Sequence, residues 1–330
     1  MFSRPFFLPL PAACLLLFSV LLHASGHTPG THVGNQYVLE AGLAGQELEY
    51  RTRDGDRLGY VAYTHPGSGT ALVYLHGIES HAGWFAQAAK RLTERGYDVF
   101  SLDRRGSGIN RENRGFPSGH ISRYPVLLED IHDFITPLRE HYSHIFLVGL
   151  SWGGKLATAY ELDYPGDADG LILITPGIKA LVDVSLPVKL KILLYAQLAP
   201  QSPIASPIEP EMFTTTPRYL DYIESDPSRL THATARFYWQ SSRLDSYLDG
   251  NIAALDTPTL LFLAGRDRII DNAGVIETLK RGDSSRLTII EYPEQTHSVQ
   301  FDAPDGLVED MDRWLKQQRR QATGKRATHP

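Results

Sequence analysis

Residues 145–154 read IFLVGLSWGG, an apolar run closed by Gly149-Leu150-Ser151-Trp152-Gly153, and the helix-compatible segment KLATAYELDY follows at once. A buried strand that turns directly into a helix fits few folds. The residue at the turn is forced into a strained backbone conformation, and Gly149 and Gly153 let strand and helix approach without a Cβ clash. Ser151 would then stand clear of the sheet with its Oγ accessible, as in a nucleophile elbow. With 28 glycines in the chain, the pattern alone could be a turn without chemistry, so its surroundings must decide.

Those surroundings alternate strands and helices. QELEYRT and RLGYVAYT flank Arg53-Asp54-Gly55-Asp56 and read as an antiparallel pair on an Asp-Gly turn. ALVYLHG, YDVFSL, IFLVG, LILIT, TLLFLAG and RLTIIEY are further strands. Helices are expected from Trp84 to Arg95, closed by Gly96, from Tyr124 to His141, after Ser151, and at the C-terminus through Trp314. Strands that are apolar throughout and separated by helices indicate a mostly parallel sheet covered on both faces. The roughly eighty residues between LILIT and TLLFLAG are too many for one crossover and read as an inserted cap. The expected division is a core of 27–175 and 256–318, a cap of 176–255, and a basic, flexible tail of 319–330.

A net charge of -6, with five basic residues and no acid after Leu315, leaves an acidic body that excludes nucleic acid as a main partner. Arg4, the apolar stretch Ala12–Leu22 and the small residues before His27 read as a signal peptide, 1–26, directing export to a periplasm or the exterior. The alternative is an uncleaved anchor over 6–22. Cys14, the single cysteine, lies inside that segment, so the mature chain would hold no disulfide and no cysteine nucleophile.

The segments LVYLHGIESHAGWF, FSLDRRGSG, VGLSWGGKLA, TLLFLAGRDRIID and YPEQTHSV together resemble α/β-hydrolases of the monoacylglycerol lipase and lysophospholipase type, also grouped with serine aminopeptidases. The likeness runs from Glu47 to Trp314. It implies an α/β-hydrolase fold: a mostly parallel eight-stranded sheet with helices on both faces and a cap between strands 6 and 7. It also implies Ser151 as nucleophile, Asp267 as acid and His297 as base, in the chain order this fold uses. The backbone N–H groups of Ile78 and Trp152 would form the oxyanion hole, with His76 and Gly77 shaping the turn. Two departures are Glu79-Ser80-His81, where the family more often has Glu-His-Ser, and Leu150, where these lipases often carry His. Both bear on acyl and leaving-group preference rather than on reaction class.

Asp271, four residues after Asp267, reads as a helix N-cap, and Asp103 as a turn residue bonding nearby backbone. No residue cluster has convincing metal spacing, and no Gly-rich loop opens a helix after the first strands, so no cofactor is expected. The expected activity is serine-dependent cleavage of monoacylglycerol-like or lysophospholipid-like esters through an acyl-enzyme. A peptidase or amidase of the same fold is the first alternative, needing an acidic patch that Glu79, Glu209 and Glu211 could supply. A non-catalytic binding protein on a hydrolase scaffold is the second. Within the cap, the apolar segment from Val188 to Leu198, interrupted by Lys189 and Lys191, is read for most of its side chains as a helix packed on the main domain; the other reading is a lid dipping into a lipid surface, and the two can hold on different faces. Membrane-surface contact is expected through the cap or the N-terminal segment. The Pro-rich run Pro200–Pro217 is expected as a loop at the pocket mouth.

Overall fold

The computed structural model describes residues 37–327, so the expected signal segment, its anchor alternative and Cys14 lie outside the described residues. Chain order is β1 (Gln46–Arg51), β2 (Arg57–Tyr63), β3 (Thr70–Leu75), α1 (Ala86–Glu94), β4 (Asp98–Leu102), α2 (Tyr124–Leu138), β5 (His144–Leu150), α3 (Trp152–Asp163) and β6 (Gly170–Ile174). Then follow α4 (Leu186–Leu198), β7 (Pro203–Ala205), α5 (Pro210–Phe213), α6 (Pro217–Ser225), β8 (His232–Thr234) and α7 (Ala235–Asn251). The chain closes with β9 (Thr259–Ala264), α8 (Asn272–Leu279), β10 (Leu287–Tyr292), α9 (Val299–Asp302) and α10 (Pro304–Ala327).

Eight strands form one sheet in the order β1-β2-β4-β3-β5-β6-β9-β10. The β1–β2 and β2–β4 pairs are antiparallel and all others parallel. The Asp-Gly turn sits between β1 and β2, with Gly55 at φ 92°. Successive side chains of the central strands go to opposite faces. Val73, Leu147, Leu173 and Leu261 join the core beneath α2 and α3, whereas Leu72, Phe146, Ile172 and Leu260 join the core beneath α1 and α10. A strand buried on both faces is apolar at most positions, which is why these segments do not alternate.

Three details differ from expectation. α2 stops at Leu138 rather than His141, because Pro137 removes a backbone donor in its last turn. α10 runs to Ala327, through most of the stretch expected as a flexible tail; the sequence there is rich in helix formers and holds no proline before Pro330. The Pro-rich run is not all loop, since it carries β7 and α5.

Between β6 and β9 the chain leaves the sheet for α4 to α7. α7 lies against α3 and packs Phe237 and Leu244 into the core. α4 behaves otherwise. Only Ile192 and Ala196 of its thirteen residues are buried, whereas Leu186, Leu190, Leu194 and Leu198 are 69, 60, 54 and 74% exposed. Positions four apart share a helix face, so α4 has an inward stripe at Val188, Ile192 and Ala196 and an outward leucine stripe. The expectation that most of these side chains pack on the main domain is therefore corrected, while the alternative that the helix faces differ holds: one apolar stripe meets the protein and the other does not.

A Cβ at Gly153 would lie 2.1 Å from the Leu75 carbonyl oxygen, a backbone atom that cannot step aside. Gly153→Ala should cost at least about 2 kcal/mol, read as a lowered urea midpoint; an unchanged midpoint would show that α3 is not seated this closely on β3.

Candidate active site

Ser151 lies between β5 and α3 at φ 52°, ψ -121°, in the left-handed region that costs a non-glycine residue about 1–3 kcal/mol. Its N–H donates to the Ile174 carbonyl at 3.0 Å, and its carbonyl accepts from Gly177 N–H at 2.6 Å. The approach is close on every side. A Cβ at Gly149 would fall 2.6 Å from the Gly153 carbonyl oxygen, and one at Gly77 would fall 3.3 Å from Ser151 Cβ. Gly149, Gly153 and Gly77 thus bring β5, α3 and the loop after β3 together around the serine.

Asp267 follows β9 and His297 follows β10, on the same sheet edge as Ser151 after β5. His297 Nδ1 lies 2.8 Å from Asp267 Oδ2, and both side chains are wholly buried. Asp267 Oδ1 accepts from the N–H groups of Ile269 and Ile270 at 2.8 and 3.0 Å, fixing the carboxylate plane. With Nδ1–H donated to the carboxylate, Nε2 is the nitrogen left to act as a base, and it is buried with no protein partner. Thr175, at φ 41°, holds the His297 carbonyl through its hydroxyl at 3.0 Å. Asp271 instead accepts from Gly274 N–H at 3.1 Å and caps α8.

Ile78, Ser151 and Trp152 line one cavity of about 500 Å³. Its lining is mixed, with Ile192, Leu193, Ile208, Ile269 and Ile270 among the apolar side chains and Lys155, Ser241 and Asp245 among the polar ones. Lys155 Nζ pairs with Asp245 Oδ1 at 2.5 Å, and Trp152 Nε1 donates to Ser241 Oγ at 2.9 Å. Glu79 is not available to bind a substrate amine, because it is buried in a 2.8 Å ion pair with Arg229. Glu209 and Glu211 are exposed and do not line the cavity.

Arg104 was not singled out by the sequence. Its guanidinium donates to the carbonyls of Gly77 and Ile78 at 2.8 and 2.5 Å and lies 5.1 Å from the centre of the Trp152 ring. It therefore touches both residues expected to supply oxyanion donors. Burial pulls its pKa down to about 9, partly offset by Asp103. His76 sits beside it with Nδ1 2.8 Å from the Gly77 carbonyl; burial, then the Arg104 charge, hold it well below the usual histidine range, so it is neutral. Asp103 accepts from Ala82 and Ile109 N–H at 2.7 and 2.9 Å, a turn residue as expected. No local signal in DRRGSG distinguishes Arg104 from its neighbour, since both lie beyond the end of β4 and both side chains are largely buried. Arg105, the other, faces Asp54, Asp56 and Asp130.

His81, two residues after Glu79, pairs with Asp226 at 2.9 Å, and Trp84 Nε1 donates to the same oxygen at 2.6 Å. Burial lowers the His81 pKa, but the hydrogen bond and charge of Asp226 outweigh it and leave the imidazole above its usual range. Burial raises Asp226, but the hydrogen bond and charge of His81, together with the bonds from Trp84 and the Ser228 N–H, leave the carboxyl low.

Comparison with known proteins agrees with this architecture. The family described as serine aminopeptidase, S33, matches residues 68–304. A monoacylglycerol lipase of Mycolicibacterium smegmatis is 26% identical over 79% of this chain and 93% of its own length. A monoglyceride lipase of Homo sapiens is 24% identical over 84% of this chain and 92% of its own. The fold matches a soluble variant of the monoglyceride lipase of Saccharomyces cerevisiae, solved with a substrate analog, at a TM-score of 0.72 and 20% identity, covering 83% of this chain and 95% of that one.

The His81–Asp226 pair makes a pH prediction. A raised histidine stabilises the fold below its unfolded pKa of about 6.5 and stops doing so as pH rises through its folded value, while a lowered carboxyl stabilises above about 3.9. The stability gap between wild type and Asp226→Asn should therefore be larger at pH 5.5 than at pH 9, measured by urea unfolding; a gap that is flat or grows with pH would contradict the pairing. From its elbow, its sheet and a family match over more than two thirds of its length, the chain belongs to the serine aminopeptidase S33 family, as an α/β-hydrolase of the monoacylglycerol lipase group and a carboxylic ester hydrolase.

Proposed function

We propose that the chain hydrolyses monoacylglycerol-like or lysophospholipid-like esters with Ser151, His297 and Asp267 as its triad. The observation that carries this reading is the wholly buried His297–Asp267 pair, with Nε2 uncommitted, on the same sheet edge as the strained Ser151. His297 Nε2 takes the proton from Ser151 Oγ as that oxygen attacks the ester carbonyl. Charge on the carbonyl oxygen is met by the N–H groups of Ile78 and Trp152, each such donor being worth about 10²–10³ in rate. His297 then gives its proton to the departing alcohol oxygen as the C–O bond breaks. Water repeats the sequence on the acyl-enzyme, releasing the acid and restoring Ser151.

The mixed apolar and polar lining of the cavity supports a substrate with an apolar acyl chain and a small polar alcohol. The leucine stripe of α4 supports delivery from a lipid surface, because Leu193 of the same helix lines the cavity. In this reading 176–255 is the cap on a core of 27–175 and 256–318, and residues 1–26 direct export, with 6–22 as the anchor alternative. The amidase reading loses its amine site, since Glu79 is already paired.

Ser151→Ala should lower ester turnover by at least about 10⁴-fold with unchanged circular dichroism, assayed on a 4-nitrophenyl ester series; turnover that survives the change would overturn the mechanism. Medium or long acyl chains should be preferred, and an aminoacyl anilide should not be cleaved. Replacing Leu190 and Leu194 together by Ser should weaken sedimentation with phosphatidylcholine vesicles several-fold while hydrolysis of a water-soluble short ester persists; equal vesicle binding would remove α4 from the proposal.

A further inference from the structure

α5 lies in the Pro-rich part of the cap, yet its carbonyl groups meet the loops that carry the acid and the base. Arg268, the residue after Asp267, donates from Nη2 to the Glu211 carbonyl at 2.6 Å. Ser298 N–H, immediately after His297, donates to the Phe213 carbonyl at 2.8 Å. Thr296 Oγ1, immediately before His297, lies 2.9 Å from that same carbonyl and 2.7 Å from Asp302 Oδ2. Asp302 Oδ1 accepts from Thr214 Oγ1 at 2.6 Å and from Thr216 Oγ1 at 3.0 Å. The Phe213 ring stands 6.0 Å from the His297 ring and packs edge-on to Trp84 at 5.4 Å. Thr214, Thr296 and Ser298 are buried, and none of them lines the substrate cavity.

We propose that the turn Pro210–Thr216 is a clamp that positions the His297–Asp267 pair, with Asp302 as its anchoring residue. The inference rests on the triad assigned above. β10 is the edge strand of the sheet and is largely solvent-facing, so the loop after it has no neighbouring strand on its outer side. The cap supplies the missing constraint from above. It grips the base loop on both sides of His297 and the acid loop beside Asp267, so that the two move as one body relative to Ser151. A misplacement of about 1 Å in such a constellation costs on the order of 10²-fold in rate.

The test compares Asp302→Ala, Asp302→Asn and Thr214→Val with wild type, using Ser151→Ala and His297→Ala as references. Kinetics are measured on 4-nitrophenyl butyrate and on a long-chain ester, with urea unfolding in parallel. Asp302→Ala should lower kcat about tenfold or more on both esters with KM within about twofold, and Asp302→Asn, which keeps an acceptor for Thr214, should recover most of the loss. A pocket-shaping role would instead raise KM for the long ester alone, and that result overturns the clamp, as does unchanged kcat in a folded Asp302→Ala. Should Asp302→Ala fail to fold, Thr214→Val decides: a kcat loss of about threefold on the short ester supports the clamp and an unchanged value overturns it. Retained activity in Ser151→Ala or His297→Ala would identify the triad reading, rather than the clamp, as the failure.

Discussion

The close approach of β5, α3 and the loop after β3 at Ser151 sets the terms for the rest of the molecule. A serine at φ 52° is held against a penalty of about 1–3 kcal/mol, and what holds it is backbone: the Ile174 carbonyl on its N–H and the Gly177 N–H on its carbonyl. A Cβ at Gly149 or Gly153 would meet main-chain atoms, and one at Gly77 would crowd the Ser80 and Ser151 side chains. This seat puts the hydroxyl at the floor of the cavity and aims the N-terminus of α3 at the same space. Partial positive charge there favours an anion, which is what the proposed attack by Ser151 would create.

Around this seat the structure uses buried polar links rather than apolar packing alone. Arg104 joins the Gly77–Ile78 carbonyls to the Trp152 ring, and Glu79–Arg229 and His81–Asp226 tie the loop after β3 to the segment between α6 and β8. The Leu230 N–H adds a bond to the Glu79 carbonyl at 2.9 Å. Each pair is desolvated, so breaking one partner leaves the other buried and uncompensated, which is costlier than the pair itself is stabilising. Such links specify one geometry. The half of the cap from α5 to β8 is therefore joined to the catalytic loops, whereas α4 contributes only a single inward stripe and leaves its leucines in solvent.

Much of the fold was legible because its signals are local. Four central strands buried on both faces are uniformly apolar, the Asp-Gly turn marks the antiparallel edge pair, and Gly96 closes α1 at φ 92°. The pairing of His297 with Asp267 rather than Asp271 was anticipated from strand ends and helix capping, and the geometry places them 2.8 Å apart. What misled was α4. Leu, Ile, Val and Ala at eight of thirteen positions, spread around the helix, look the same whether it faces a core on one side or two, so periodicity could not tell a packed helix from one with a solvent face. The Pro-rich run misled similarly, since proline marks a break but also starts helices at their first turn, as Pro210 and Pro217 do here.

The sequence by itself determined the tight turn at Ser151, the mostly parallel sheet, and the length of the insertion, because strands, turns and caps depend on residues near one another in the chain. Only the tertiary structure decided that Arg104 touches both Ile78 and Trp152, that Glu79 is committed to Arg229, that the Phe213 carbonyl meets Thr296 beside His297, and that α4 turns four leucines outward. Those features join residues from 26 to 150 positions apart or depend on which side of a helix finds a neighbour. Neither separation nor neighbour is written in any local pattern; both are fixed when the cap closes on the sheet and buried polar groups must find partners.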